Sequence, residues 1–212
     1  MVINQSDILE RNDQVGKMGT IYACAATVVI WLGQNSDIDP HWAETEVTGN
    51  MSVEDVVGWM NFDNAQERDM SQMDSILNAL TALSELPYWH RAWVLQEVAF
   101  ARRAIVMFGQ RAVPYEYFIS FWQQEHPDYV DMFGSMGPLF LIKPGSARED
   151  TLSFSVWEWI NRMQRMGCTD LRDKLYACLA LFSADIRDRI EVDYAKSVET
   201  IFFGSDTGFG RE

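Results

Sequence analysis

"TVVIWLG", residues 27–33, is a continuous apolar, β-branched run closed by a glycine. A run apolar on both faces predicts a strand in the middle of a parallel sheet, covered by helices. Just upstream, residues 6–25 predict a helix, with Ser6 or Asp7 as its cap and Glu10 placed for a capping box with Asp7. Val15, Met18, Tyr22 and Ala25 recur at helical spacing and predict its buried face. Helix, short link and buried strand make half of a βαβ unit, so the expected class is α/β.

Working downstream, residues 34–70 turn acidic and polar, with Asp37, Asp39, Glu44, Glu46, Glu54, Asp55 and Glu67. They predict a surface insertion holding one short amphipathic helix, "SVEDVVGWM", capped by Ser52. Residues 71–86 predict a helix with the apolar stripe Met73, Ile76, Leu77, Leu80 and Leu83, stopped by Pro87. Another helix is expected over 88–102, and "AIVMFG" (104–109) reads as a second buried strand. Residues 112–125 predict a helix with Pro114 near its first turn and Tyr117, Phe118, Phe121 and Trp122 available for packing. The stretch 126–150 reads mostly as loop. Helices are expected over about 152–166, with Phe154, Trp157, Ile160 and Met163 inward, and over about 171–183, with Asp170 as cap. Asp193 is the expected cap of a last helix.

Charge narrows the function classes. The 212 residues carry 31 acidic and 17 basic side chains, a formal net charge of −14. Such a surface repels phosphate backbones, and Arg102–Arg103 is too short a cluster to reverse that, so no nucleic-acid partner is expected. The 3 cysteines, Cys24, Cys168 and Cys178, are odd in number and lack metal-type spacing. They read as free thiols in a reducing compartment, with no metal expected. No apolar run approaches a membrane span, and no signal-peptide pattern is visible. A cytoplasmic protein is the expectation.

The chemistry-bearing segment is "YWHRAWVLQEVAFARR", residues 88–103. On a continuous helix Trp89, Trp93, Gln96 and Phe100 share one stripe, and Glu97 falls at its edge. A carboxylate half-walled by an indole is desolvated and suited to acid–base or electrostatic work. The structural reading of the same residue is an ion pair with Arg91, Arg102 or Arg103. Gln96 reads as a buried hydrogen-bonder. His90 has no second histidine nearby, and Cys24 has no sequence neighbour that would activate it.

Three ordered segments together resemble the heterokaryon-incompatibility (HET) domain family of filamentous fungi. They are "INQSDILERNDQVGKMGTIYACAATVVIWLG" (3–33), "YWHRAWVLQEVAFARRAIVMFGQ" (88–110), and "DLRDKLYACLALF" with "VDYAKSVETIF" (170–182 and 192–202). The resemblance implies an effector of self/non-self recognition that triggers programmed cell death after incompatible fusion, working with protein partners or by self-association. It also implies a distant relation to TIR domains and a flavodoxin-like parallel sheet flanked by helices. Many enzymatic TIR domains cleave NAD with a glutamate in a Trp-x-x-x-Glu helix, a spacing that Trp93 and Glu97 reproduce. By that analogy Glu97 is the candidate catalytic residue, and Trp93, Gln96, Asn4 and Gln5 border the nucleotide. NAD would be substrate, with no resident cofactor.

The family pattern usually opens with a strand and a Trp-x-Asp-x-x-Cys segment before Ile-Asn-Gln, whereas this chain starts at "MVINQ". The expectation is therefore a partial HET domain over 1–203 that lacks its first strand, with residues 204–212 as a tail. A non-enzymatic assembly module and an inactive truncated paralogue are the other readings. A missing strand would leave an unpaired apolar edge beside the 27–32 strand. The remaining family positions have structural readings: Glu10 and Arg11 as braces of the first helix, Arg172 and Asp173 as a helix-start ion-pair set.

Overall fold

The computed structural model describes residues 4, 6–38, 52–60, 73–125, 142–148, 161, 163–164 and 166–203. In chain order their elements are α1 Ile8–Cys24, β1 Val28–Trp31, α2 Val53–Trp59, α3 Met73–Ser84, α4 Val94–Phe100, β2 Ala104–Phe108, β3 Arg111–Pro114, α5 Tyr115–Glu125, α6 Asp173–Leu179, α7 Ala184–Arg187 and α8 Val198–Phe203. Packing divides the chain into two compact units. One takes Met1–Ala25, Arg91–Ala101 and Gly145–Glu212; the other takes Ala26–His90 and Arg102–Pro144. The rest of the acidic insertion, most of the 126–150 loop, nearly all of the 152–166 helix and the 204–212 tail lie outside the described residues.

The second unit holds the sheet. β1 pairs with β2 in parallel, Ile30 opposite Val106, and β2 pairs with β3 antiparallel, Val106 opposite Val113. The described chain is thus mixed α/β, a three-stranded sheet flanked by helices. Val28, Ile30, Ala104, Val106, Phe108 and Val113 are buried on one face. α5 packs on β2 and β3, and α2 packs on β3 and α3. Ser52 caps α2 as expected, within a capping box that Asp55 completes, and Pro87 follows α3 and opens a 3-10 turn, Pro87–His90. Trp89 is fully buried, donates its indole N–H to the Leu83 carbonyl at 2.8 Å, and stacks on Phe118 at 5.6 Å.

Two strand expectations are corrected. β1 is not buried on both faces: Val29 and Trp31 are 52% and 51% exposed. Despite its apolar composition it lies at an edge of the described sheet: among the described residues β1 pairs with β2 alone. Residues 111–114 are strand, not the start of a helix, because Gly109 (φ 56°) turns the chain back on β2. Pro114 closes β3, α5 begins one residue later, and Tyr117 points outward at 44% exposure. The sheet is accordingly mixed, not parallel throughout.

The first unit is helical among its described residues. Asp7 caps α1, accepting the N–H groups of Leu9 and Glu10 at 3.0 and 3.1 Å, an arrangement that contributes about 1 kcal/mol. The box is not reciprocal, since Glu10 accepts the Asn4 N–H instead. Only half-burial is reached by Val15, Met18 and Tyr22 on the expected face, while Gly19 is buried. α1, α6 and the 3-10 turn Ser146–Arg148 all pack on α4. Ser197, not Asp193, caps α8, accepting the Thr200 N–H at 3.2 Å.

Candidate functional site

The predicted 88–102 helix is broken. A 3-10 turn ends at His90, Arg91 bridges to Gly167, and α4 begins only at Val94 with Trp93 at its N-cap. Trp89 consequently falls in the other unit and does not continue a stripe with Trp93, Gln96 and Phe100. Nor is Glu97 at the edge of an amphipathic helix, because α4 is buried from Val94 to Ala99. A short helix apolar nearly all round is a core helix, and Glu97 is carried into that core.

There the carboxylate is engaged. Its side chain is 10% exposed, and the Arg91 guanidinium stands 4.0 Å away at 57% exposure. Burial first, and then the Glu97 carboxylate, push the pKa of the Tyr22 phenol on α1 far up, so it stays neutral. Of the three arginines expected as structural partners, Arg91 is found beside Glu97. Gln96 donates to the Tyr176 carbonyl at 3.0 Å, while its buried Oε1 has no hydrogen-bond partner. Trp93 is half-buried, and its indole lies near enough to Asp173 to favour that carboxylate's charged form. Asn4 is exposed and accepts the Ser6 N–H in the turn before α1. Gln5 lies outside the described residues.

A second polar cluster, which spacing alone did not reveal, gathers around Tyr194. Arg11 reaches Asp170 at 3.2 Å and Asp173 at 3.7 Å, and its guanidinium covers the Tyr194 ring at 3.5 Å. Arg172 grips Asp170 with two 2.8 Å hydrogen bonds and donates to the carbonyls of Tyr194 and Lys196 at 2.5 and 2.7 Å. Tyr194 donates its hydroxyl to Asp173 and its backbone N–H to Asn12 at 2.9 Å. Hydrogen bonds from Arg172 hold the Asp170 carboxyl below the usual carboxylate range, whereas burial pushes Asp173 upward despite Tyr194 and Arg11. The expected helix-start set of Arg172 and Asp173 is thus one corner of a larger clasp. It ties α1, the start of α6 and residues 193–196, and through Trp93 it reaches the first turn of α4.

Such a clasp consumes its own donors and acceptors; its chemistry is that of a brace. Among the described residues, no group of three or more His, Cys, Asp or Glu could hold a metal ion, and no helix is long and apolar enough to cross a membrane.

Residues 1–97 match the family model described as "Heterokaryon incompatibility protein (HET)". That segment, just under half of the chain, is what is similar to the HET family. The HET match ends on Glu97, so it takes in Asn4, Arg11, Tyr22, Trp93 and Gln96 and stops short of Asp170, Arg172, Asp173 and Tyr194. No curated protein and no solved structure matches the chain.

Proposed function

We propose that this chain is an effector module of fungal heterokaryon incompatibility that triggers cell death on non-self recognition, acting in the cytoplasm by assembling with protein chains. The HET match over residues 1–97 supports the biological role. The engagement of Glu97 weighs against catalysis: a catalytic carboxylate needs an open approach, and this one is enclosed by Tyr22 and Arg91 within the packing of α4. Glu97 on this reading braces α1 against α4, and residues 1–203 act as one HET domain.

The second reading is a TIR-like doubly wound domain that cleaves NAD, favoured by Trp93 at the N-cap of α4 and Glu97 one turn into that helix. Fold analogy is a weak warrant for chemistry. The two readings separate when the purified chain is incubated with NAD beside a Glu97→Ala variant while sedimentation follows self-association. Assembly without nicotinamide release is the expected result. Release that disappears in the variant would replace this reading with NAD cleavage.

A further inference from the structure

Among the described residues the edge of β1 away from β2 is unpaired, and it combines three properties. Its parallel ladder uses the N–H groups of Val28 and Leu32, donated to Arg103 and Met107 at 2.9 Å. Alternation therefore turns the backbone groups of Val29 and Trp31 outward, away from β2. Their side chains are half exposed, next to half-buried Ile105 and Met107 in the same register. Residues 26–36 contain no Asp, Glu, Lys or Arg, in a chain with 23% charged residues. Exposed edges are ordinarily blunted with a charge, a proline or a bulge; this one has none of these.

We propose that β1 is the docking edge for a second copy of this chain, the two β1 strands pairing antiparallel about Ile30. This rests on the assembly reading above and names its surface. A two-fold axis at Ile30 sets the outward groups of Val29 against those of Trp31 of the second copy, and the reverse. Each N–H then meets a carbonyl, and a β-branched side chain lies beside an indole, a favourable cross-strand pair. The seam is self-complementary and brings no ionisable group face to face. For a chain of net charge −14, an uncharged strand is where two copies can meet without local repulsion. A basic partner would find nothing on this strand to pair with.

The test is equilibrium sedimentation of the full chain across a concentration series, at low and moderate salt. Wild type is expected to pass from monomer to dimer, and more readily as salt screens the net charge. A Val29→Lys/Trp31→Lys double variant sets like charges opposite one another and should weaken the dimer by about tenfold or more. Val29→Lys/Trp31→Glu sets opposite charges in the same register and should restore it. Tyr117→Lys, at an exposed site away from β1, should dimerise as wild type does. Circular dichroism melts confirm that each variant is folded. A dimer unaffected by the double-lysine change would overturn this edge while leaving the assembly reading intact. Wild type monomeric throughout would overturn the edge and self-assembly together.

Discussion

The Tyr22 phenol on α1 and the Glu97 carboxylate on α4 are coupled inside the helical unit. Each residue bears on the other: the phenol gives a buried acid a neutral neighbour, and the acid adds to burial in keeping the phenol protonated. Removing one partner leaves the other's polar group buried, at about 1–3 kcal/mol. Tyr22→Phe and Glu97→Ala should each cost about that, whereas Glu97→Gln retains an acceptor and should cost about 1 kcal/mol or less. Urea denaturation gives the ordering; Glu97→Gln as the most damaging of the three would refute the brace.

Arg172 serves two carbonyls and a carboxylate simultaneously. A lysine offers a point charge without the planar fork, so Arg172→Lys cannot make both sets of bonds. The expected loss is about 2–3 kcal/mol, with earlier proteolysis in residues 193–196. A change below about 0.5 kcal/mol, typical of an uninvolved surface site, would mean the clasp carries no stability.

Asp170 and Asp173 should respond to pH in opposite directions. Asp170 has a lowered folded pKa, so its contribution is present above the unfolded value of about 3.9 and lost as pH falls through the folded value. Asp173 has a raised folded pKa; its contribution is present below the unfolded value and lost as pH rises through the folded one. Asp170→Asn is therefore expected to cost more at about pH 7 than at about pH 3, and Asp173→Asn the reverse. Paired melts of both variants at the two pH values provide the comparison.

Gly109 sits at φ 56° in the turn between β2 and β3, with a Glu54 oxygen 2.6 Å from where a Cβ would stand. Glu54 itself accepts the Gln110 N–H at 2.8 Å. Gly109→Ala strains the backbone and displaces that carboxylate, an expected cost of about 1–3 kcal/mol. Glu54→Gln, which keeps an acceptor, should cost less. If the two cost the same, the turn does not depend on glycine.

Local chemistry in the sequence was sufficient for the caps at Asp7 and Ser52, the stop after α3 at Pro87, and the existence of β1 and β2. Each depends on residues within a few positions of one another. Harder to read were β3, hidden behind a helix-like aromatic run, and the helix break at 91–93, where Arg91 leaves helical hydrogen bonding to bridge Gly167. Period counting assumes an unbroken helix, and that assumption put Trp89 on one stripe with Trp93, Gln96 and Phe100, with Glu97 at its edge. The tertiary structure alone decided that Glu97 is enclosed and that Arg11, Asp170, Arg172, Asp173 and Tyr194 meet. The Asn12–Tyr194 bond joins positions 182 residues apart, and no local periodicity encodes such a pair. The same holds for the exposure of Val29 and Trp31: an apolar strand predicts burial, yet which strand ends as an edge depends on the neighbours the whole chain supplies.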